Sequence, residues 1–171
     1  MKDYSIDKKR FAIAIIASIY FIYYGFSYTD WHFIDNINLI IHEAGHTVFM
    51  FSGDFIQLLG GSFLQIMFPV IFILYFYKNK DYFSSSLLLF WVGQNLINVS
   101  VYVSDAIVMQ LPLLGGESSL HDWNNILIMM GLLKYSEKIG FSIYILGFIV
   151  IMCAIYYSFY NSFIKKDIVP V

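Results

Sequence analysis

Apolar residues run along this chain in long blocks separated by short polar seams. Phe11 to Tyr28 holds no charge and directly follows Lys8, Lys9 and Arg10. A block of that length is about what a helix needs to cross a bilayer core. Its far end, Tyr23-Tyr24-Gly25-Phe26-Ser27-Tyr28, lacks a small-x-small cleavage pattern, so it reads as an uncleaved first membrane helix. Phe33 to Ser52 is apolar but carries Asp35, His42, Glu43 and His46. Phe55 to Tyr77 is uncharged and contains Gly60-Gly61 and Pro69; Ser84 to Ser104 is uncharged, holds Gln94, Asn95 and Asn98, and leads into Asp105. Ile126 to Leu133 is too short to span, whereas Ile139 to Ile164 is long enough for a last crossing. The pattern predicts an all-α fold, a polytopic transmembrane helix bundle of about 5–6 membrane helices. It forms one integral membrane domain over residues 1–171.

The basic residues bear on how those helices are threaded. If every long block spans, Lys78 and Lys80 fall on the opposite side from Lys8, Lys9 and Arg10, against the positive-inside tendency. If residues 55–68, around Gly60-Gly61, form a re-entrant segment, or one neighbouring helix is only partial, eight of the ten basic residues share one side. Irregular backbone at membrane depth is tolerated only where protein or a wet cavity satisfies it.

Composition agrees with the pattern. Hydrophobic residues make up 59% of the chain and charged residues only 13%, against roughly 25% charged in soluble domains. So few charges cannot cover a water-facing surface, and so many aromatics and aliphatics exclude a disordered chain. A net charge of −2 with no basic patch argues against a nucleic-acid partner. Cys153 is the single cysteine, which excludes an internal disulfide and a thiolate metal cluster. The expected setting is a multi-pass protein of the cell (plasma) membrane, its first partner the lipid bilayer.

Against this background, His42-Glu43-Ala44-Gly45-His46 stands out as an H-E-x-x-H motif. On a helix, residues i and i+4 lie about 40° apart, so both imidazoles face the same way. Two neutral histidines so placed bind one zinc ion, and the adjacent glutamate reaches an attacking water. Glu43 is therefore the catalytic candidate, and His42 and His46 are metal ligands. A hydrogen-bonded polar cluster holding helices together is the plainer alternative, but it leaves a glutamate in an apolar stretch at considerable cost.

A catalytic zinc usually has three protein ligands. Asp105 ends a stripe in which Gln94, Asn98, Tyr102 and Asp105 recur every three or four residues on one helical face, and it is the favoured third ligand. His121 is an alternative or additional ligand. Asp122 is a further candidate, and also a plausible N-cap for a helix starting near Trp123. His32, beside Trp31, suits the membrane interface. Gly60, Gly61 and Gln65 follow the motif helix closely. The glycines suit either a turn exposing a backbone edge to an extended substrate or close helix packing. Asn98, Tyr102, Gly60, Gly61, Gln65 and Asp122 are thus read as substrate-binding or supporting residues.

On His42-Glu43-Ala44-Gly45-His46 in a membrane helix and an aspartate in a later one, the chain resembles the site-2 protease family of intramembrane metalloproteases, over roughly residues 33–110. The resemblance implies zinc held by His42, His46 and Asp105, with Glu43 as base, and a transmembrane substrate. It places a metalloprotease-like core at about residues 33–124. The family's second motif is an asparagine, a proline and then Leu-Asp-Gly. Here Asn98 precedes Asp105 with no proline between them, and Ser104-Asp105-Ala106 replaces the triplet. The expected function is a membrane-embedded zinc metalloprotease acting on a membrane protein or peptide substrate. The alternatives are a metal-dependent membrane hydrolase of a lipid or amide, and a non-enzymatic metal-binding assembly protein whose site is closed by a fourth ligand.

Overall fold

A computed structural model describes residues 4–111 and 121–165. Within them are six α-helices and a single two-stranded ladder. Helix α1 (Lys8–Phe26) starts at Asp7, whose carboxylate accepts from the backbone N–H groups of Lys9 and Arg10 and so satisfies two of the free donors of a first turn. Helix α2 (Phe33–Val48) follows, then α3 (Asp54–Lys78), which runs unbroken past Pro69, and α4 (Tyr82–Ser104), capped by Asp81. A short α5 (Asp122–Met129) and a 3₁₀ turn at Leu133–Tyr135 lead into the last helix, α6 (Ser136–Tyr160).

Strands β1 (Tyr4–Ile6) and β2 (Phe163–Lys165) pair antiparallel and bring the first and last described residues together. The same end of the bundle holds the α3–α4 turn. Asn161 donates to Tyr82 O (3.2 Å), and the Arg10 guanidinium lies 5.4 Å from the centre of the Phe83 ring. Lys8, Lys9, Arg10, Lys78, Lys80 and Lys165 are therefore gathered at one end, with Lys134 and Lys138 at the other.

Among the described residues four helices are long and apolar enough to cross a membrane: α1, α3, α4 and α6 with its preceding turn. That is fewer than the five or six expected. The motif helix α2 has only 16 residues, about 24 Å of rise, and α5 is shorter still. A partial α2, rather than a re-entrant segment, is what returns Lys78 and Lys80 to the end holding the first basic cluster. Residues 55–68 are continuous helix within α3, so no turn breaks the chain at Gly60-Gly61.

The bundle is apolar outside and partly polar within. Ile16, Ile19, Phe26, Ile149 and Tyr156 are exposed, whereas Asp35, Asn38, Gln65, Gln94 and Asn95 are almost fully buried. A bilayer suits this distribution, because lipid solvates the outer side chains and buried polar groups must find partners inside. Small residues set the closest helix contacts. A Cβ on Gly147 of α6 would sit 2.7 Å from Gly93 O of α4, and one on Gly140 would strike the Ser104 hydroxyl. Gly147→Leu is accordingly expected to destabilise the bundle by about 1–3 kcal/mol. This would be seen as a lower thermal unfolding midpoint in detergent, with lipid-facing Ile149→Leu leaving it unchanged.

Candidate metal centre

The i, i+4 spacing on α2 does what the motif requires. The rings of His42 and His46 stand 4.8 Å apart, centre to centre. Their backbone is drawn against α3 by glycines: a Cβ on Gly45 would collide with Gly60 O, and one on Gly61 would lie 2.5 Å from His42 Nε2 and 2.7 Å from His46 Nε2. The imidazoles thus lie directly over Gly61. Gly60 and Gly61 serve close packing; their backbone is consumed in α3 and offers no edge to a substrate strand.

Asp122, the first residue of α5, completes the cluster. Its Oδ2 is 3.0 Å from His42 Nε2 and 3.1 Å from His46 Nε2. These three residues form the group of potential metal ligands found among the described residues. Zinc bonds of about 2.0–2.2 Å to imidazole nitrogen and carboxylate oxygen would set tetrahedral ligand atoms about 3.3–3.5 Å apart. The two histidine–Asp122 separations lie within a few tenths of an ångström of that spacing. The outer nitrogens are already engaged, His42 Nδ1 with Gln65 Oε1 (3.2 Å) and His46 Nδ1 with Gln57 O (2.8 Å). Both contacts leave Nε2 directed inward, as orienting partners of metal-bound histidines commonly do.

Asp105 is occupied elsewhere. Its Oδ1 accepts from Gln110 N and its Oδ2 from Leu111 N, each at 3.0 Å, while His121 Nε2 lies 3.3 Å from Oδ2. At the C-terminal end of α4 this carboxylate folds back on the free N–H groups of its own loop. His121 caps α5, with Nδ1 accepting from Asn124 N (3.2 Å). The expected ligand Asp105 and its alternative His121 therefore brace the start of the helix that presents Asp122. Because His121 takes the capping position, the Asp122 side chain is free to face the histidines.

The supporting residues gather around the same point. The Tyr102 hydroxyl donates to Asp122 Oδ2 (3.2 Å) and accepts from Asp122 N (3.1 Å), and Trp123 Nε1 donates to Ser62 Oγ (3.0 Å), pinning α5 to α3. Gln65 donates to Asn98 Oδ1 (2.8 Å). His32 lies apart from the centre, its Nε2 near Ser27 in the α1–α2 turn. A cavity of about 680 Å³ is lined by Glu43, His42, His46, Tyr102 and Asp122, a volume usual for ligand sites. Glu43 is exposed into it. Its described lining contains Asp30, Asp54 and no lysine or arginine.

No protein-family model matches the chain, and neither a curated protein nor a solved structure is similar to it. The likeness to site-2 proteases thus rests on the motif residues.

His46 and Asp122 lie outside the four long apolar helices. The hydrogen bond to Asp122 raises the His46 pKa to about 8, against the effect of burial. Burial alone would raise the Asp122 pKa, but the bonds from His42 and His46 outweigh it and bring the carboxyl to about 2. In protein stripped of metal by a chelator, the raised His46 stabilises the fold fully below its ordinary 6.5 and loses that effect as pH rises through about 8. The lowered Asp122 stabilises above its ordinary 3.8 and loses that effect as pH falls through about 2. The stability deficit of Asp122→Asn relative to wild type is therefore expected to be larger at pH 6 than at pH 9. Paired thermal unfolding curves of chelated protein at the two pH values measure this.

Proposed function

We propose that this protein is a membrane-embedded zinc metalloprotease that hydrolyses peptide bonds of membrane protein or peptide substrates. The observation that carries the reading is the convergence of His42 Nε2, His46 Nε2 and Asp122 Oδ2 beside Glu43 in one cavity. Two nitrogens and one carboxylate oxygen are a common ligand set for catalytic zinc. When bound there, zinc supplies Lewis acidity: it polarises a carbonyl and lowers the pKa of water towards neutrality. Glu43 takes the proton of the attacking water and delivers it to the leaving amine nitrogen. Tyr102 holds Asp122 from both its side chain and its backbone N–H, fixing the third ligand.

The closed, non-enzymatic alternative needs a fourth ligand. Among the described residues none joins the group, and the pairing of His121 with Asp105 favours a site with a position left for water. Access is favoured from the end of the bundle opposite the main basic cluster. With that cluster cytoplasmic, as the positive-inside tendency suggests for a plasma-membrane protein, the centre lies nearer the outer face. A helical substrate must unwind locally, because its backbone is otherwise protected by its own hydrogen bonds.

Glu43→Gln is expected to lower peptide-bond cleavage at least a hundredfold while zinc stays at one ion per chain. Asp122→Ala is expected to lose stoichiometric zinc, and Asp105→Asn to keep it. Metal analysis of purified variants, with cleavage assays on labelled membrane peptides and labelled lipids, tests these outcomes. Full cleavage by Glu43→Gln would exclude the mechanism, and turnover of lipid alone would exclude a protease.

A further inference from the structure

The carboxylate of Asp35 is buried at 2% exposure, two turns before His42 on the same face of α2, and takes no part in the cluster of ligands. Four donors converge on it. Tyr24 OH (2.9 Å), Gln94 Nε2 (2.9 Å) and Asn98 Nδ2 (3.0 Å) donate to Oδ1, and His32 N (2.8 Å) donates to Oδ2. With four donors on its two oxygens the carboxyl acts as an acceptor throughout, so it dictates the direction of every amide attached to it. Asn98 must turn its NH₂ to Asp35 and hence its oxygen to Gln65, which donates to it at 2.8 Å. Gln65 also donates to Asn95 Oδ1 (3.0 Å), which leaves its own oxygen facing His42 Nδ1 at 3.2 Å. An oxygen there demands a proton on Nδ1.

A second branch runs the same way. The Trp91 indole, which can only donate, gives its N–H to Asn38 Oδ1 (2.8 Å). Asn38 Nδ2 then donates to Gln94 Oε1 (2.8 Å), and Gln94 Nε2 to Asp35. A donor-only group at the far end and an acceptor-only group at Asp35 give this branch a single polarity. Chains of this kind, closed in a low-dielectric interior, reinforce one another.

We propose that Asp35 is a positioning residue of the metal centre: acting through Asn98 and Gln65, its carboxylate holds the His42 proton on Nδ1 and keeps Nε2 open to the ion. The inference rests on the metal-centre reading above and adds to it a carboxylate outside the group of ligands.

Asp35→Asn changes the polarity with almost no change in shape. With its oxygen on the fixed His32 backbone N–H, the new amide sets its NH₂ against Asn98, Gln94 and Tyr24, and because Trp91 fixes the direction of Gln94, that contact is lost while Asn98 is free to turn. Asn98 and Gln65 then reverse, and Gln65 presents NH₂ to His42 Nδ1, which favours the proton on Nε2 and blocks the metal. Asp35→Asn is expected to weaken zinc binding about 10- to 100-fold, the range for groups that orient metal ligands. Affinity would be measured by competition with a chromophoric chelator. In the double variant Asp35→Asn/Gln65→Glu, a carboxylate faces His42 directly, and Asn98 can bridge it to the new amide at position 35 with every contact along that path remade. Zinc affinity is expected to rise several-fold above that of Asp35→Asn although both variants lose the Gln94 contact, a recovery that a merely structural role for Asp35 would not produce.

Nitrogen NMR of isotope-labelled histidine in the zinc-loaded wild type supplies a measurement independent of any variant. It should show His42 bound through Nε2 with its proton on Nδ1. Metal on Nδ1, wild-type zinc affinity in Asp35→Asn, or a double variant that folds but binds no better than the single one would each overturn the proposal. Wild-type protein that takes up no stoichiometric zinc would instead overturn the metal-centre reading itself.

Discussion

The close approach of α2 to α3 is the contact from which the rest of the centre follows. Any side chain at Gly45 would collide with the carbonyl of Gly60, and any at Gly61 would occupy the space of both imidazoles. With only hydrogen atoms at these positions, the helices meet backbone to backbone. That distance brings His46 Nδ1 to the Gln57 carbonyl and His42 Nδ1 to the Gln65 side chain. A wider spacing would leave both rings free to rotate, and rotamer freedom at a ligand is lost affinity. The three glycines thus turn a spacing in the sequence into a pair of directed nitrogens.

The remaining architecture resolves the burial of polar groups among apolar helices. Gln94 and Asn95 are fully buried on α4, and Asp35 and Asn38 are buried on α2. Unpartnered, each would cost several kcal/mol in a hydrocarbon setting. Most are joined in one network spanning α1, α2, α3 and α4, with Tyr24 on one flank and Trp91 on another. Asn95 Nδ2 is without a hydrogen-bond partner among the described residues. Such a network specifies a single arrangement of helices, since sliding one by a turn would leave several donors and acceptors unmatched at once. Lipid-facing positions, by contrast, carry little positional information, because one aliphatic side chain serves there nearly as well as another.

What could be read in the sequence follows that division. The histidine pair was legible because helical periodicity alone sets its geometry, and the stripe Gln94, Asn98, Tyr102 was legible for the same reason. The third member of the cluster was not. Asp105 continues the stripe, yet it lies where α4 ends, and the free N–H groups of Gln110 and Leu111 claim it. Asp122 comes from a short helix whose docking depends on contacts distant in sequence, Trp123 with Ser62 and Tyr102 with Asp122. A local signal existed: His121 can cap as well as aspartate, leaving Asp122 free. The helix count was overestimated because apolar content does not separate a spanning helix from a partial one. The polar face of α2 marks it as a helix buried against protein, where Asp35, Asn38, His42 and His46 all find partners.

A partial α2 also opens the metal centre to a polar mouth among apolar helices. The turn joining α1 to α2 contributes Tyr28, Asp30 and Trp31 to the cavity wall, and the start of α3 contributes Asp54. The histidines therefore sit beneath a mouth made of polar loop residues rather than between two lipid-facing spans. Carboxylates line this mouth without a lysine or arginine among the described residues, so its field draws cations inward and opposes anions. That polarity suits the loading of a divalent ion and the approach of any positively charged group. It disfavours an anionic group, a phospholipid headgroup included, at Glu43.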